Sequence, residues 1–280
     1  MRLRLFVAVA LALCASMAQA YSPRSTELTW SHGNLLITDA VLSPSVSMWD
    51  DCPLLAIFND PAVGSIFFDD FVFFVHQQNG WSCTLTNAGH NHVEDATGGL
   101  LYMHASDVTV ADNDETYVGM DSYIGANSKV YVPTAGKDIW FEARVKFTEA
   151  NVDDANVIAG LMSKWSADAL IDNGGGPFAA YDGIVFFKVD GGTVWQAEAS
   201  NGEAQTTLTS VATRQSGTWT RLGMFIDGSS SVTFYINGVA VGTTTTNLPD
   251  AGITPVFGVK NGDTNEEALY VDWVRVVQLR

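Results

Sequence analysis

The sequence predicts an all-β sandwich, and three observations predict it. The final stretch, Ala268 to Arg280 (ALYVDWVRVVQLR), alternates as a closing strand, with Val274 and Val276 on one face and Trp273, Arg275 and Val277 on the other. An aromatic run interrupted by an acidic pair, Ile66 to Val75 (IFFDDFVFFV), is its expected partner far upstream, and a first strand beside a last one closes a sandwich. From Ile66 onward, short alternating segments are separated by turn residues, and apart from the leader no stretch sustains helical periodicity.

The chain opens with a leader. Arg2 and Arg4 form a basic start, Leu5 to Ala15 is apolar, and Ala18-Gln19-Ala20 is a small-x-small cleavage site before Tyr21. This is the pattern of a secretory signal peptide over residues 1–20. The apolar run is shorter than the roughly 20 residues a spanning helix needs, so no membrane span is expected. Leu13 stands where a lipoprotein anchor at Cys14 would need a small residue. The expected location is secreted, extracellular or periplasmic.

Residues 21–64 read as an irregular amino-terminal arm. This stretch carries Pro23, Pro44, Pro53 and Pro61, with an apolar knot from Cys52 to Phe58 that packs on the sandwich. Residues 65–280 form the main domain. Strands are expected at Trp81 to Thr86, Gly99 to Ala105, Lys129 to Val132 and Ile139 to Phe147. In the last of these Ile139, Phe141, Ala143, Val145 and Phe147 share a face opposite Glu142, Arg144 and Lys146. Val157 to Lys164 precedes an irregular Gly-rich loop from Asp168 to Ala180. Asp182 to Asp190 and Thr193 to Ser200 flank Gly191-Gly192 as a hairpin. Thr218 to Ile226, Ser231 to Ile236 and Val239 to Thr243 follow, the last two joined by the turn signal Asn237-Gly238. Pro255 to Lys260 and the closing strand complete the series.

Charge narrows the partners. The formal net charge is −17, and loss of the two leader arginines makes it −19. Such a surface argues against nucleic acid or an anionic membrane as partner. A chain of this length buries roughly 70–75% of its unfolded surface and needs no metal or disulfide to hold a core. Export nevertheless permits a disulfide between the two cysteines beyond the leader, Cys52 and Cys83, which would tie the arm to the sandwich. Spacing alone does not show whether the two side chains meet.

Trp140-Phe141-Glu142-Ala143-Arg144-Val145-Lys146, the Asn237-Gly238 hairpin and Tyr270-Val271-Asp272-Trp273-Val274-Arg275-Val276 resemble the concanavalin A-like lectin/glucanase superfamily, to which laminin-G-like modules and many glycan-active hydrolases and lyases belong. The resemblance runs from about Ile66 to Arg280. It implies a two-sheet antiparallel jelly-roll sandwich with one concave face. Asp51-Cys52-Pro53-Leu54-Leu55-Ala56-Ile57, followed by Phe68-Asp69-Asp70-Phe71, also looks like uncharacterised phage and environmental proteins.

Glycosidases of this superfamily often take their two carboxyls from one strand as Glu-x-Asp-x-Glu, since alternate residues share a face. No such triplet occurs; the corresponding stretch, Tyr181 to Phe187, holds one acid followed by apolar residues. Glu142 and Glu198, isolated acids on convincing strands, read as solvated outward residues. No His–Tyr pair of lyase spacing can be assigned. His90 and His92, with His104 a strand away, are spaced as a metal pair, and the favoured reading is a polar turn from Asn87 to Asp95.

The resemblance implies calcium as cofactor where the first and last strands meet, with Asp69, Asp70 and Asp272 as oxygen ligands; acids at a strand edge also serve as backbone hydrogen-bond acceptors. The acidic loop from Glu149 to Asn156, with Asp153 and Asp154, is a further candidate. A sugar needs an aromatic platform and a few polar groups. Trp165, Tyr181 and Trp195 with Asp172, Asn173 and Gln196, near the glycines at 174 to 176, are the expected ligand-binding set. The expected function is a secreted, non-catalytic glycan-binding or surface-adhesion module. The alternatives are a structural protein of a virion or cell envelope, meeting protein partners, and a glycan-cleaving hydrolase or lyase with an unrecognised site.

Overall fold

The computed structural model describes residues 26–31, 34–39, 46–75, 80–86, 90–106, 109–120, 130–149, 154–213 and 215–280. The predicted signal peptide lies outside these residues. The arm begins with a hairpin of β1 (Thr26–Ser31) and β2 (Asn34–Asp39), followed by two short helices, α1 (Val46–Trp49) and α2 (Leu54–Asn59). Then come β3 (Gly64–Asp69), β4 (Trp81–Thr86), β5 (His90–Val93), β6 (Leu101–His104), β7 (Glu115–Met120), β8 (Ile139–Glu149) and β9 (Asn156–Met162). A two-residue ladder of β10 (Leu170–Ile171) with β11 (Gly176–Pro177) interrupts the Gly-rich loop. The chain continues through β12 (Gly183–Lys188), β13 (Val194–Asn201), β14 (Ala204–Thr213), β15 (Thr220–Asp227), β16 (Ser231–Ile236), β17 (Val239–Thr244), β18 (Thr254–Lys260) and β19 (Glu267–Leu279).

Two antiparallel sheets face each other. The seven-stranded sheet runs β14-β13-β12-β9-β18-β7-β4, and the eight-stranded sheet runs β17-β16-β15-β8-β19-β6-β5, with β3 also paired to β19. The expected closure is present: Ile66 to Asp69 pair with Val277 to Val274. Between the sheets lies the main core, which includes Ile139, Phe141, Ala143, Val145 and Phe147, all from the inward positions of β8. The β16–β17 hairpin turns at Asn237 and Gly238, with φ of 51° and 80°, as a two-residue turn matching strand twist requires.

A register shift between Val271 and Trp273 explains how one 13-residue strand serves the whole sheet. Strict alternation would carry Leu269 and Val271 inward and then turn Val274 and Val276 outward. The extra residue resets the phase, so all four reach the core.

Three strands of the seven-stranded sheet, β9, β12 and β18, are buried on both faces, which is why their sequences are nearly continuous apolar runs. Their outer face is covered by the 163–181 segment: Trp165, Ala169, Leu170, Phe178 and Tyr181 pack on Tyr117, Ile158, Met162, Val185, Phe187 and Val256. On the opposite side of the molecule, Met48, Cys52 and Ile57 of the arm pack with Trp140 and Val277 on part of the outer face of the eight-stranded sheet.

Two local expectations change. His90 to Val93, read as a turn, form an edge strand paired with β6. In the stretch from Lys129 to Val132, residue 129 lies outside the described residues and Tyr131 makes a single bridge to Ile253. Among the described residues no helix is long and apolar enough to cross a membrane.

Candidate functional site

The expected ligand-binding set falls on and under the 163–181 segment, and most of it is committed to packing. Trp195 points into the core, 1% exposed, with its ring edge-on to Phe147 at 5.7 Å. On β13, Trp195, Ala197 and Ala199 turn inward, which leaves Gln196, Glu198 and Ser200 for the outer face. Trp195 is therefore not a platform, contrary to the expectation. Tyr181 is also 1% exposed; its ring packs on Phe178 at 5.5 Å and its hydroxyl donates to Glu198 Oε1 at 2.7 Å. Trp165 is half-buried against Gly119, where a Cβ would sit 2.3 Å from the indole. Glycine at 119 thus lets the loop close on the sheet.

Asp172 meets Lys260, and Asn173 is an exposed residue in left-handed conformation, φ 55°. Gln196, half-buried, lies opposite Phe187 in the ladder. Lys260 is the hub of this region. Its buried ammonium contacts Asp172, lies 2.9 Å from Asp168 Oδ1 and 3.4 Å from Glu115 Oε2, and donates to the Leu170 carbonyl at 3.1 Å. Burial lowers its pKa, but hydrogen bonds to Asp168 and Asp172 and the charge of Glu115 outweigh this and raise it. Lys260 therefore fastens the loop to the sheet as a permanent cation.

The outward positions of β12 are Gly183, Val185 and Phe187, so that strand offers no carboxyl to a substrate. The neighbouring acid, Glu198, accepts from Tyr181 and from Thr207 Oγ1 at 2.5 Å. Burial raises its pKa, against those two hydrogen bonds. Below pH about 4.5 the group is protonated in folded and unfolded chains alike. Above that the unfolded chain ionises first, so stability is lost as pH rises toward the folded value. Glu198→Gln is expected to flatten the decline in urea midpoint above pH 4.5; an unchanged slope would contradict it.

The expected calcium ligands do not converge. Asp69 accepts from the backbone N–H of Phe71 at 2.7 Å and from Trp81 Nε1 at 2.8 Å, beside the core. Asp272 pairs instead with Arg144 on the outer face. With Asp69 and Asp272 directed to opposite faces, Asp70 has no set to complete. Cys52 and Cys83 are likewise unbonded: Cys52 lies under the arm helices and Cys83 packs on the main core from β4. Burial pushes their thiols up to about 12 and about 11, keeping both protonated at neutral pH.

A different constellation, of which the sequence singled out only the histidines, occupies the uncovered part of the outer face of the eight-stranded sheet. Register places His92, Tyr102, Tyr270 and Lys146 side by side on β5, β6, β19 and β8. The His92 and Tyr102 rings are 5.0 Å apart, Tyr102 and Tyr270 4.9 Å, and Lys146 Nζ lies 4.1 Å from the Tyr270 ring and 5.1 Å from that of Trp219. Four strands spaced about 4.8 Å make a row about 14 Å long. Beside it, His90 stacks on His92 at 5.2 Å and meets His104 at 4.9 Å. Arg144 lies over Trp219 at 4.6 Å.

Polar groups line this row. Glu94 Oε1 is 3.8 Å from His92 Nε2, and Glu266 Oε1 is 2.5 Å from His104 Nε2. Burial, followed by Tyr270 and the charges of Glu266 and Glu94, raises the Tyr102 pKa, so its phenol stays a donor. Burial and then His104 and His92 lower that of His90. The row ends where the arm begins: Trp49 Nε1 and Arg275 Nε both donate to Glu142 Oε2 at 3.1 Å, with Arg275 stacked over Trp49 at 3.9 Å. Outward polar aromatics on alternating positions were the available signal, but their alignment depends on pairing between residues as far apart as 102 and 270.

Two large antiparallel sheets, closed by pairing of β3 with β19 and with one open aromatic face, define a lectin-type β-sandwich. The chain belongs to the concanavalin A-like lectin/glucanases superfamily, whose family description matches residues 119–278. Among solved structures it is similar to the carbohydrate recognition domain of Emp47p (10% identity, TM-score 0.50, covering 78% of this chain and 97% of that one). It is also similar to peanut lectin bound to a nine-residue peptide (11%, 0.50, 78% and 98%). Endo-β-1,4-glucuronan lyase from the fungus Trichoderma reesei aligns at 13% identity and TM-score 0.49, covering 75% and 94%. At these identities what is shared is the fold. No curated protein sequence matches the chain.

Proposed function

We propose that the protein is an exported, non-catalytic glycan-binding module that holds a saccharide along the His92–Tyr102–Tyr270–Lys146 row. The observation that carries this reading is the row itself: rings with polar edges aligned across three strands, continued by Lys146 on a fourth and flanked by carboxylates and cations. Pyranose C–H faces pack on such rings, while sugar hydroxyls need the phenols, amines and carboxylates beside them. The apolar outward positions of β12 and the isolation of Glu198 favour binding without cleavage. Export rests on the leader pattern in residues 1–20.

A glycan array with the purified protein tests this. Binding is expected, and Tyr270→Ala or Lys146→Ala should each weaken it about tenfold, or about 1.4 kcal/mol. A blank array with folded protein, or affinity unchanged in both variants, would overturn the assignment.

A second reading, a structural protein of a virion or envelope, draws on exposed apolar side chains in one stretch: Phe58, Phe68, Val72 and Phe73 are each more than half exposed. A stable oligomer by light scattering, dissociated by Phe58→Ser or Phe73→Ser, would favour it over the glycan reading.

A further inference from the structure

Acids from three places in the chain meet at one rim of the sandwich. Asp154 lies between β8 and β9, Asp263 lies in the turn between β18 and β19, and Glu267 opens β19. One carboxylate oxygen from each lies within 4.8 Å of the others. Glu149 closes β8 nearby, and Asp190 presses on the same turn. A Cβ on Gly262 would stand 2.1 Å from the Asp154 carbonyl and 2.7 Å from the Asp190 carboxyl carbon. The cation in this group is Lys188, whose Nζ is 3.2 Å from Glu149 Oε2 and donates to the Ala155 carbonyl at 2.7 Å.

Glu267 is the second, independent observation. Its side chain is fully buried, and among the described residues neither carboxylate oxygen has a hydrogen-bond partner. Its backbone N–H is satisfied, donating to Asn261 Oδ1 at 3.1 Å, so the defect belongs to the carboxyl. Buried carboxylates without donors are costly and are ordinarily paired or bound to metal.

We propose that Asp154, Asp263 and Glu267 form a calcium site that ties the β8–β9 and β18–β19 connections to the first residue of the closing strand. The donors are all hard oxygens, with no imidazole or thiolate, which excludes a zinc-type set. Three converging carboxylates suit calcium, which takes several such ligands in flexible geometry, whereas magnesium is usually held by one or two and keeps its waters. The site lies away from the expected Asp69, Asp70 and Asp272 set, and it uses Asp154 of the acidic loop noted in the sequence.

The test is thermal unfolding of the purified protein after EDTA treatment, titrated with calcium chloride or magnesium chloride, with terbium luminescence as a direct readout of binding. Calcium at a hundredfold excess over Kd should raise Tm by about 5–10 °C. Asp263→Asn should weaken calcium binding at least tenfold, and Glu267→Gln should abolish the shift. Asp263 is half-buried in a turn, so its variant keeps the test decisive if Glu267→Gln fails to fold. Absence of any calcium-dependent shift in the folded protein, or full retention of the shift in Asp263→Asn, would overturn the site. An equal response to magnesium would overturn its assignment to calcium.

Discussion

Replacing Lys260 with methionine is expected to destabilise the fold by about 3 kcal/mol, because the substitution keeps the apolar stem and removes the cation from a buried charge cluster. The loss concentrates on Glu115, whose side chain is 1% exposed, since Asp168 and Asp172 retain access to water. Glu115 would keep hydrogen bonds from Tyr117 Oη at 2.9 Å and from the Asp168 N–H at 2.8 Å, which limits the penalty without cancelling it. The double variant Lys260→Met/Glu115→Gln should recover most of the stability, because it removes the stranded charge along with its partner. Urea denaturation measures both. A single variant as stable as the parent, or a double variant less stable than the single, would show that the cluster does not hold the loop.

Trp195→Ala is expected to cost about 3–5 kcal/mol, the range for emptying an aromatic site in a packed core. Its ring touches Phe147 across the sandwich and belongs to the same cluster as Phe186, Phe234 and Leu222. Trp195→Phe should recover part of the loss by refilling part of the volume. The contrast with Tyr270→Ala separates packing from recognition: the core variant should lower the denaturation midpoint, whereas the Tyr270 variant should leave it nearly unchanged and reduce glycan affinity. A Trp195→Ala protein with the parental midpoint would place the indole outside the core.

By itself the sequence determined the class of fold and much of its local detail. The bounds of β4 and β16 coincide with the expected strands, and the inward set of β8 is the one its alternation predicts, because a period of two with one apolar face is a local property. The pairing of Ile66 to Asp69 with the closing strand was also legible, as was the turn at Asn237-Gly238.

Only the tertiary structure decided which faces are open and which residues meet there. Along β13 Trp195, Ala197 and Ala199 alternate with Gln196, Glu198 and Ser200, so the pattern itself turns the indole inward. What only packing decided is that the 163–181 segment covers the outer face of the neighbouring strands. Asp69 and Asp272 lie near each other in the sheet yet point apart, and a one-residue bulge beside Asp272 resets the phase of the strand that carries it. The His92–Tyr102–Tyr270–Lys146 row and the Asp154–Asp263–Glu267 rim depend on non-local register and on loops that close far along the chain. Register is set by the summed burial of whole strands rather than by any short motif. Composition and periodicity therefore reach the sandwich, and the packing of its sheets, loop and arm selects the sites.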